Sequence, residues 1–110
     1  MRRLLILAAL CAGTAHAEFR DGNKLLSDMR GTEIDRVFAI GYVLGVADSV
    51  RSVTFCPPAN VSAGQLNDLV RKYLEGNPAI RHLAGDAIVS VVISDAWPCP
   101  RRNNSGGRNS

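Results

Sequence analysis

The side chains that could do chemistry in this 110-residue sequence are few: His82 with Asp86 four residues on, Asp48, and the cysteines Cys56 and Cys99. A His and an Asp four residues apart share one helical face and can hydrogen-bond. A hydrolytic triad needs a nucleophile as well, and neither a Gly-x-Ser-x-Gly elbow nor a free Cys beside a base is present. His82 therefore reads as a helix-surface or buried histidine bonded to a carboxylate, with a pH-sensitive role as the alternative. Asp48, near the end of an apolar stretch, reads as a buried or half-buried carboxylate bonded to backbone or Arg rather than as a general base. There is no Gly-rich phosphate loop, no paired-carboxylate spacing and no metal-ligand pattern. No enzymatic activity, cofactor or metal is expected from these residues.

The start of the chain explains why two cysteines remain to be paired. Arg2 and Arg3 precede an apolar run from Leu4 to Ala12, and Ala15-His16-Ala17 supplies small residues in an A-x-A arrangement. This is the pattern of a secretory signal peptide at residues 1–17, cleaved after Ala17, and the run is too short to span a membrane. Export predicts a periplasmic location. Cleavage removes Cys11, leaving Cys56 and Cys99 as an even pair in an oxidising compartment, most simply one disulfide. It also removes two of the 13 Lys and Arg residues, leaving 11 against 10 Asp and Glu. Three of those 11 lie in the Arg-, Asn-, Ser- and Gly-rich stretch 100–110, expected to be a disordered basic tail. The formal charge of +3 thus comes from the two ends, and residues 18–99 carry 8 positive against 10 negative groups. With 5% aromatic residues and none interleaved with Arg or Lys, a nucleic-acid partner is not expected.

The elements between these ends read as helical. Asp21 can cap a short helix, Lys24 to Met29, ending at Gly31. From Ile34 to about Ser52 apolar residues recur at helical spacing, and Gly41 and Gly45, four apart, would let another helix approach closely. Cys56-Pro57-Pro58 must be a loop. Ser62 and Gln65 form a capping box, flanked by Val61 and Leu66 as a hydrophobic staple, for a helix to Glu75 that stops at Gly76. Its inward set is Leu66, Leu69, Val70, Tyr73 and Leu74. Asn77-Pro78 then starts a last helix with Ile80, Leu83, Ala84, Ala87, Ile88, Val91, Val92 and Ala96 inward, although the β-branched cluster 88–93 would also suit a strand. The sum is a small all-α single domain of about four helices stapled by one disulfide.

The series Gly22-Asn23-Lys24-Leu25-Leu26, Gly41-Tyr42-Val43-Leu44-Gly45-Val46-Ala47-Asp48, Phe55-Cys56-Pro57-Pro58, Val61-Ser62-Ala63-Gly64-Gln65, Lys72-Tyr73-Leu74, Asn77-Pro78, Arg81-His82 and Trp97-Pro98-Cys99 resembles the Rap/Tai family. These are periplasmic immunity proteins that neutralise peptidoglycan amidase effectors of type VI secretion. The resemblance implies a helical fold, a disulfide equivalent to Cys56 with Cys99, often a homodimer, and inhibition by occlusion of the amidase's active-site groove. Gly41, Tyr42, Gly45, Asp48, Ser62 and Gln65 in these motifs are architectural. The candidate contact with the toxin is the polar face and end of the third helix: Asn67, Arg71, Glu75, Gly76 and Asn77. From the residues alone, a periplasmic stress or chaperone-like protein is the alternative.

Overall fold

Three of the helix starts are dictated by side chains that satisfy otherwise unpaired backbone N–H groups. In the computed structural model, which describes residues 19–101, Asp21 opens α1 (Gly22–Met29) by accepting the Lys24 N–H at 2.8 Å. Thr32 opens α2 (Glu33–Val50) through a capping box with Asp35, which sequence inspection had passed over. Ser62 and Gln65 cap α3 (Ala63–Gly76) reciprocally, at 3.2 and 2.7 Å, as their spacing predicts. A single 3₁₀ turn (Pro78–Ile80) leads to α4 (Gly85–Ala96). The expected signal peptide at 1–17 and residues 102–110 of the expected tail at 100–110 lie outside the described residues.

The last helix departs from the expected continuous stretch starting at Pro78. The chain turns through 81–84, and α4 begins with Ala84 at the N-cap position and no side-chain cap. The reason lies at the other end of the chain. Residues 20–23 run alongside 81–85: Gly22 N–H donates to Leu83 O at 3.0 Å, Asn23 N–H to Arg81 O at 2.8 Å, and Gly85 N–H to Arg20 O at 2.8 Å. Those carbonyls are therefore spent outside the helix, and this N-terminal clasp replaces the missing cap. Close approach requires Gly22, where an added Cβ would lie 2.9 Å from Arg81 O and 2.7 Å from Ile88 Cδ1. The rotation that follows also changes which face of α4 is inward. Ile88, Val89, Val92 and Ile93 are buried, whereas Leu83 and Val91, expected inside, are half exposed. Residues 88–93 are helical, not a strand.

The core is built from all four helices: Leu25, Leu26 and Met29 of α1, Ala39, Val43 and Ala47 of α2, Leu66, Val70 and Leu74 of α3, and the α4 set. On α3 the buried positions fall at i, i+4 and i+8, while Tyr73 lies at the surface rather than inside. A second correction concerns Gly41 and Gly45. Both face outward, and a Cβ built on either meets nothing within 4 Å, so neither serves a close helix contact within the chain.

Among the described residues Asp28 is the one buried charged residue, 3% exposed. Arg20 Nε donates to its Oδ2 at 2.8 Å and Lys24 Nζ to its Oδ1 at 3.0 Å. Burial pushes the carboxyl upward, but the hydrogen bonds and charges of Arg20 and Lys24 together hold it below its ordinary 3.8. At the opposite end, Cys56 and Cys99 are disulfide-bonded, as the count of cysteines predicts. Around the bond, Phe55 is buried edge-on against Trp97 at 6.2 Å between ring centres, Cys56 N–H donates to Trp97 O at 2.9 Å, and Ser94 Oγ meets Thr54 Oγ1 at 2.9 Å. The turn entering this corner needs Ser52 at φ 65°, a left-handed conformation held by its N–H donating to Phe55 O.

Two outcomes follow. Because the folded Asp28 carboxyl lies below its unfolded value, its stabilisation is present above pH 3.8 and is lost as pH falls through the folded value. Asp28→Asn should lower unfolding free energy by about 1–2 kcal/mol at pH 7, a figure discounted for the partial exposure of Arg20 and Lys24. In denaturant titrations the gap to wild type should close below pH 3.8. Replacing Cys56 and Cys99 by Ser should cost about 4 kcal/mol in the loop-entropy relation for residues 43 apart, and added reductant should reproduce that loss in the wild type but leave the variant unchanged.

Candidate functional site

The expected catalytic side chains do not come together. His82 is exposed on the turn before α4, and no hydrogen bond or ion pair joins it to Asp86 or to Asp48 among the described residues. This corrects the expectation of a carboxylate-bonded histidine: residues 81–84 are not helical, so the four-residue spacing to Asp86 no longer places the two on one face. Asp86 instead accepts the N–H of Ala87 at 2.8 Å in the first turn of α4. Asp48 is exposed on the outer side of α2 rather than buried or half-buried, because the inward positions of that helix are Ala39, Val43 and Ala47. Among the described residues no three His, Cys, Asp or Glu are grouped to hold a metal ion.

Tyr42 occupies a more constrained place than the sequence suggested. Its hydroxyl lies against the start of α4, where a Cβ added to Gly85 would stand 3.0 Å from it and 3.0 Å from Arg20 O. Burial and the nearby Asp86 charge push its pKa above the ordinary value, opposed by a hydrogen bond with the Asp86 backbone. Gly85 and Tyr42 thus form one close contact between α2 and α4, an architectural role consistent with the motif that contains Tyr42.

The polar residues of α3 do form a continuous surface. Asn67, Arg71 and Glu75 are spaced four apart and so lie on one face. Arg71 reaches Asp68 at 3.3 Å and Glu75 at 4.0 Å, while Glu75 also forms an ion pair with Arg30 Nη2, from the end of α1, at 3.4 Å. Asn67 is half-buried, and its Oδ1 has no partner among the described residues. At the end of this stripe the helix runs through Gly76, one residue beyond the expected stop, with Asn77 as C-cap. Asn77 Nδ2 donates to Tyr73 O at 2.8 Å and its N–H to Leu74 O at 3.4 Å, so the side chain satisfies a helix-end carbonyl that would otherwise face water. Pro78 then fixes the exit. Residues 75–79 are all exposed, on a turn whose shape is set by these local bonds.

Sequence inspection missed the centre at Asp28, although Lys24 and Asp28 at i and i+4 were a visible signal. It also missed Arg20, which stacks on Phe38 with its guanidinium carbon 3.9 Å from the ring centre.

The described residues form a small all-α domain with one disulfide. The family model of Rap1a immunity proteins matches residues 7–99, and the chain belongs to that family. No curated protein matches the chain. Membership makes the protein an immunity protein, whose partner is an effector protein. No helix among the described residues is long and apolar enough to cross a membrane.

The ion pairs on α3 are solvent-exposed, and such pairs contribute little to stability. Arg71→Ala should shift the unfolding free energy by less than about 1 kcal/mol, as measured by denaturant titration, leaving the position available for partner contact.

Proposed function

We propose that this immunity protein is exported to the periplasm and neutralises a peptidoglycan amidase delivered by type VI secretion. It blocks the enzyme sterically: the α3 end turn, Glu75-Gly76-Asn77, enters the active-site groove, and the face of Asn67 and Arg71 meets the groove's rim. Peptidoglycan is thereby excluded without any chemistry by the inhibitor, which is non-catalytic. The protein works as a homodimer, presenting this turn twice. The observation that carries the reading is membership of the immunity family, joined to an exposed turn whose shape is held by its own hydrogen bonds. A preorganised turn loses little entropy on binding, which favours tight occlusion. The disulfide suits an oxidising compartment.

Gly76 gives a clean test, since an added Cβ there meets nothing within 4 Å and the fold tolerates a larger side chain. Purified mature protein should form a complex with its cognate amidase on gel filtration and abolish peptidoglycan hydrolysis. Gly76→Trp should weaken that complex at least tenfold with an unchanged circular dichroism spectrum. Either the absence of a complex or wild-type inhibition by Gly76→Trp would overturn the proposal.

A further inference from the structure

The clasp that rotates α4 leaves part of its apolar stripe without a partner inside the domain. Leu83 and Val91 are 46 and 54% exposed, and beside them Tyr73 of α3 is 37% exposed. These three side chains, with Ile80 and Ala87, ring a cleft of about 160 Å³ with the buried Ile88 beneath. Exposed apolar residues that converge on a concavity mark a place where another molecule is bound. No charged side chain lines this cleft. Along the chain it is flanked by charges of both signs, Lys72, Arg81 and His82 against Asp86 and Asp95, while Glu75 is paired with Arg30 and Arg71. Such a rim favours neither an anion nor a cation, so the group complementary to the cleft is uncharged and apolar. Its size is that of a ring: a cavity of about 150 Å³ between aliphatic side chains takes up benzene.

The cleft and the turn that ends α3 are one unit. Asn77 Nδ2 donates to Tyr73 O at 2.8 Å, and Asn77 O accepts the N–H of Ile80 at 3.2 Å. Ile80 O in turn accepts the N–H of Leu83 at 3.0 Å. The last residue of the turn is thus bonded to two of the residues that line the cleft, and one of these to a third. A partner seated on Glu75-Gly76-Asn77 therefore lies against the cleft as well. We infer that the cleft is the anchor pocket of the effector contact: an aromatic side chain at the rim of the amidase's groove enters it between Tyr73, Leu83 and Val91. Tight interfaces draw most of their energy from such anchors, a large apolar side chain in a pocket whose polar surroundings exclude water. The polar turn fixes the register of the two proteins, and the cleft supplies the affinity.

This inference rests on the reading of the protein as an amidase inhibitor, and the measurements separate the two. Calorimetric titration of the cognate amidase with the mature protein gives the dissociation constant. Leu83→Asp and Val91→Glu each place a charge in the cleft. Each should raise that constant by about 30-fold or more. Their circular dichroism spectra and thermal midpoints should stay close to wild type, since neither side chain belongs to the buried core. Leu83→Met keeps the cleft apolar and should bind as wild type. Val53→Asp, an equally drastic change of a 72% exposed residue at the disulfide corner, should also leave the affinity unchanged. A dissociation constant unmoved by Leu83→Asp and Val91→Glu overturns the inference, as does an equal loss in Val53→Asp or Leu83→Met. If the two cleft variants bind as wild type while Gly76→Trp does not, the turn contact stands and the cleft alone falls. The absence of any complex removes both. Cleft variants that bind the amidase normally but change the sedimentation mass assign the cleft to a second copy, which likewise overturns the inference.

Discussion

Arg20 holds the arrangement together from a position ahead of the first helix. Its side chain donates to the buried Asp28 carboxylate and lies over the Phe38 ring, while its carbonyl accepts the N–H that opens α4. One residue thus ties α1, α2 and α4, and the buried charge of Asp28 makes that tie specific. A carboxylate removed from water is tolerable only when paired, so no alternative packing that separates Asp28 from its cations competes well. The clasp, the capless start of α4 and the rotation of its buried face follow from residues 20–23 being held in this place.

The opposite corner is governed by covalent chemistry. The disulfide joins the loop after α2 to the segment after α4, and Phe55 with Trp97 fills the space beneath it. Between these two anchors the helices pack mainly through aliphatic side chains. The polar turn at the end of α3 is stabilised by its own backbone and by Asn77. The frame and the candidate contact surface are therefore built from different residues, which leaves the surface free to vary without loss of the fold.

Local chemistry made much of this legible in the sequence. The Ser62–Gln65 capping box, the cysteine pairing and the 3.6-residue periodicity of α2 and α3 act over a few residues or through simple counting, and each appears as expected apart from Tyr73, which lies at the surface. What escaped prediction depends on long-range placement. Ala84 and Gly85 carry no helix-start signal because the partner of Gly85 N–H is a carbonyl 65 positions earlier, at Arg20. Leu83 and Val91 fit a helical stripe that exists only if the helix begins at Pro78. Gly41 and Gly45 have the spacing of a packing motif, but spacing does not say which way that face of the helix turns, and here it turns outward. At the candidate site, the stripe of Asn67, Arg71 and Glu75 was visible from periodicity. The Arg30 contact to Glu75 was not, since it joins two helices.

The clasp and the disulfide also overlap along the chain: one joins 20–23 to 81–85, the other 56 to 99. Each encloses part of the segment that the other closes, so neither terminal helix can peel away while the rest stays folded. Opening α1 breaks the start of α4, and α4 is held by its far end to the loop following α2. Stepwise fraying, the usual entry route for proteases, is thereby suppressed in favour of cooperative opening. For an immunity protein that must be intact when its effector arrives, this shape of free-energy landscape confers longevity apart from total stability.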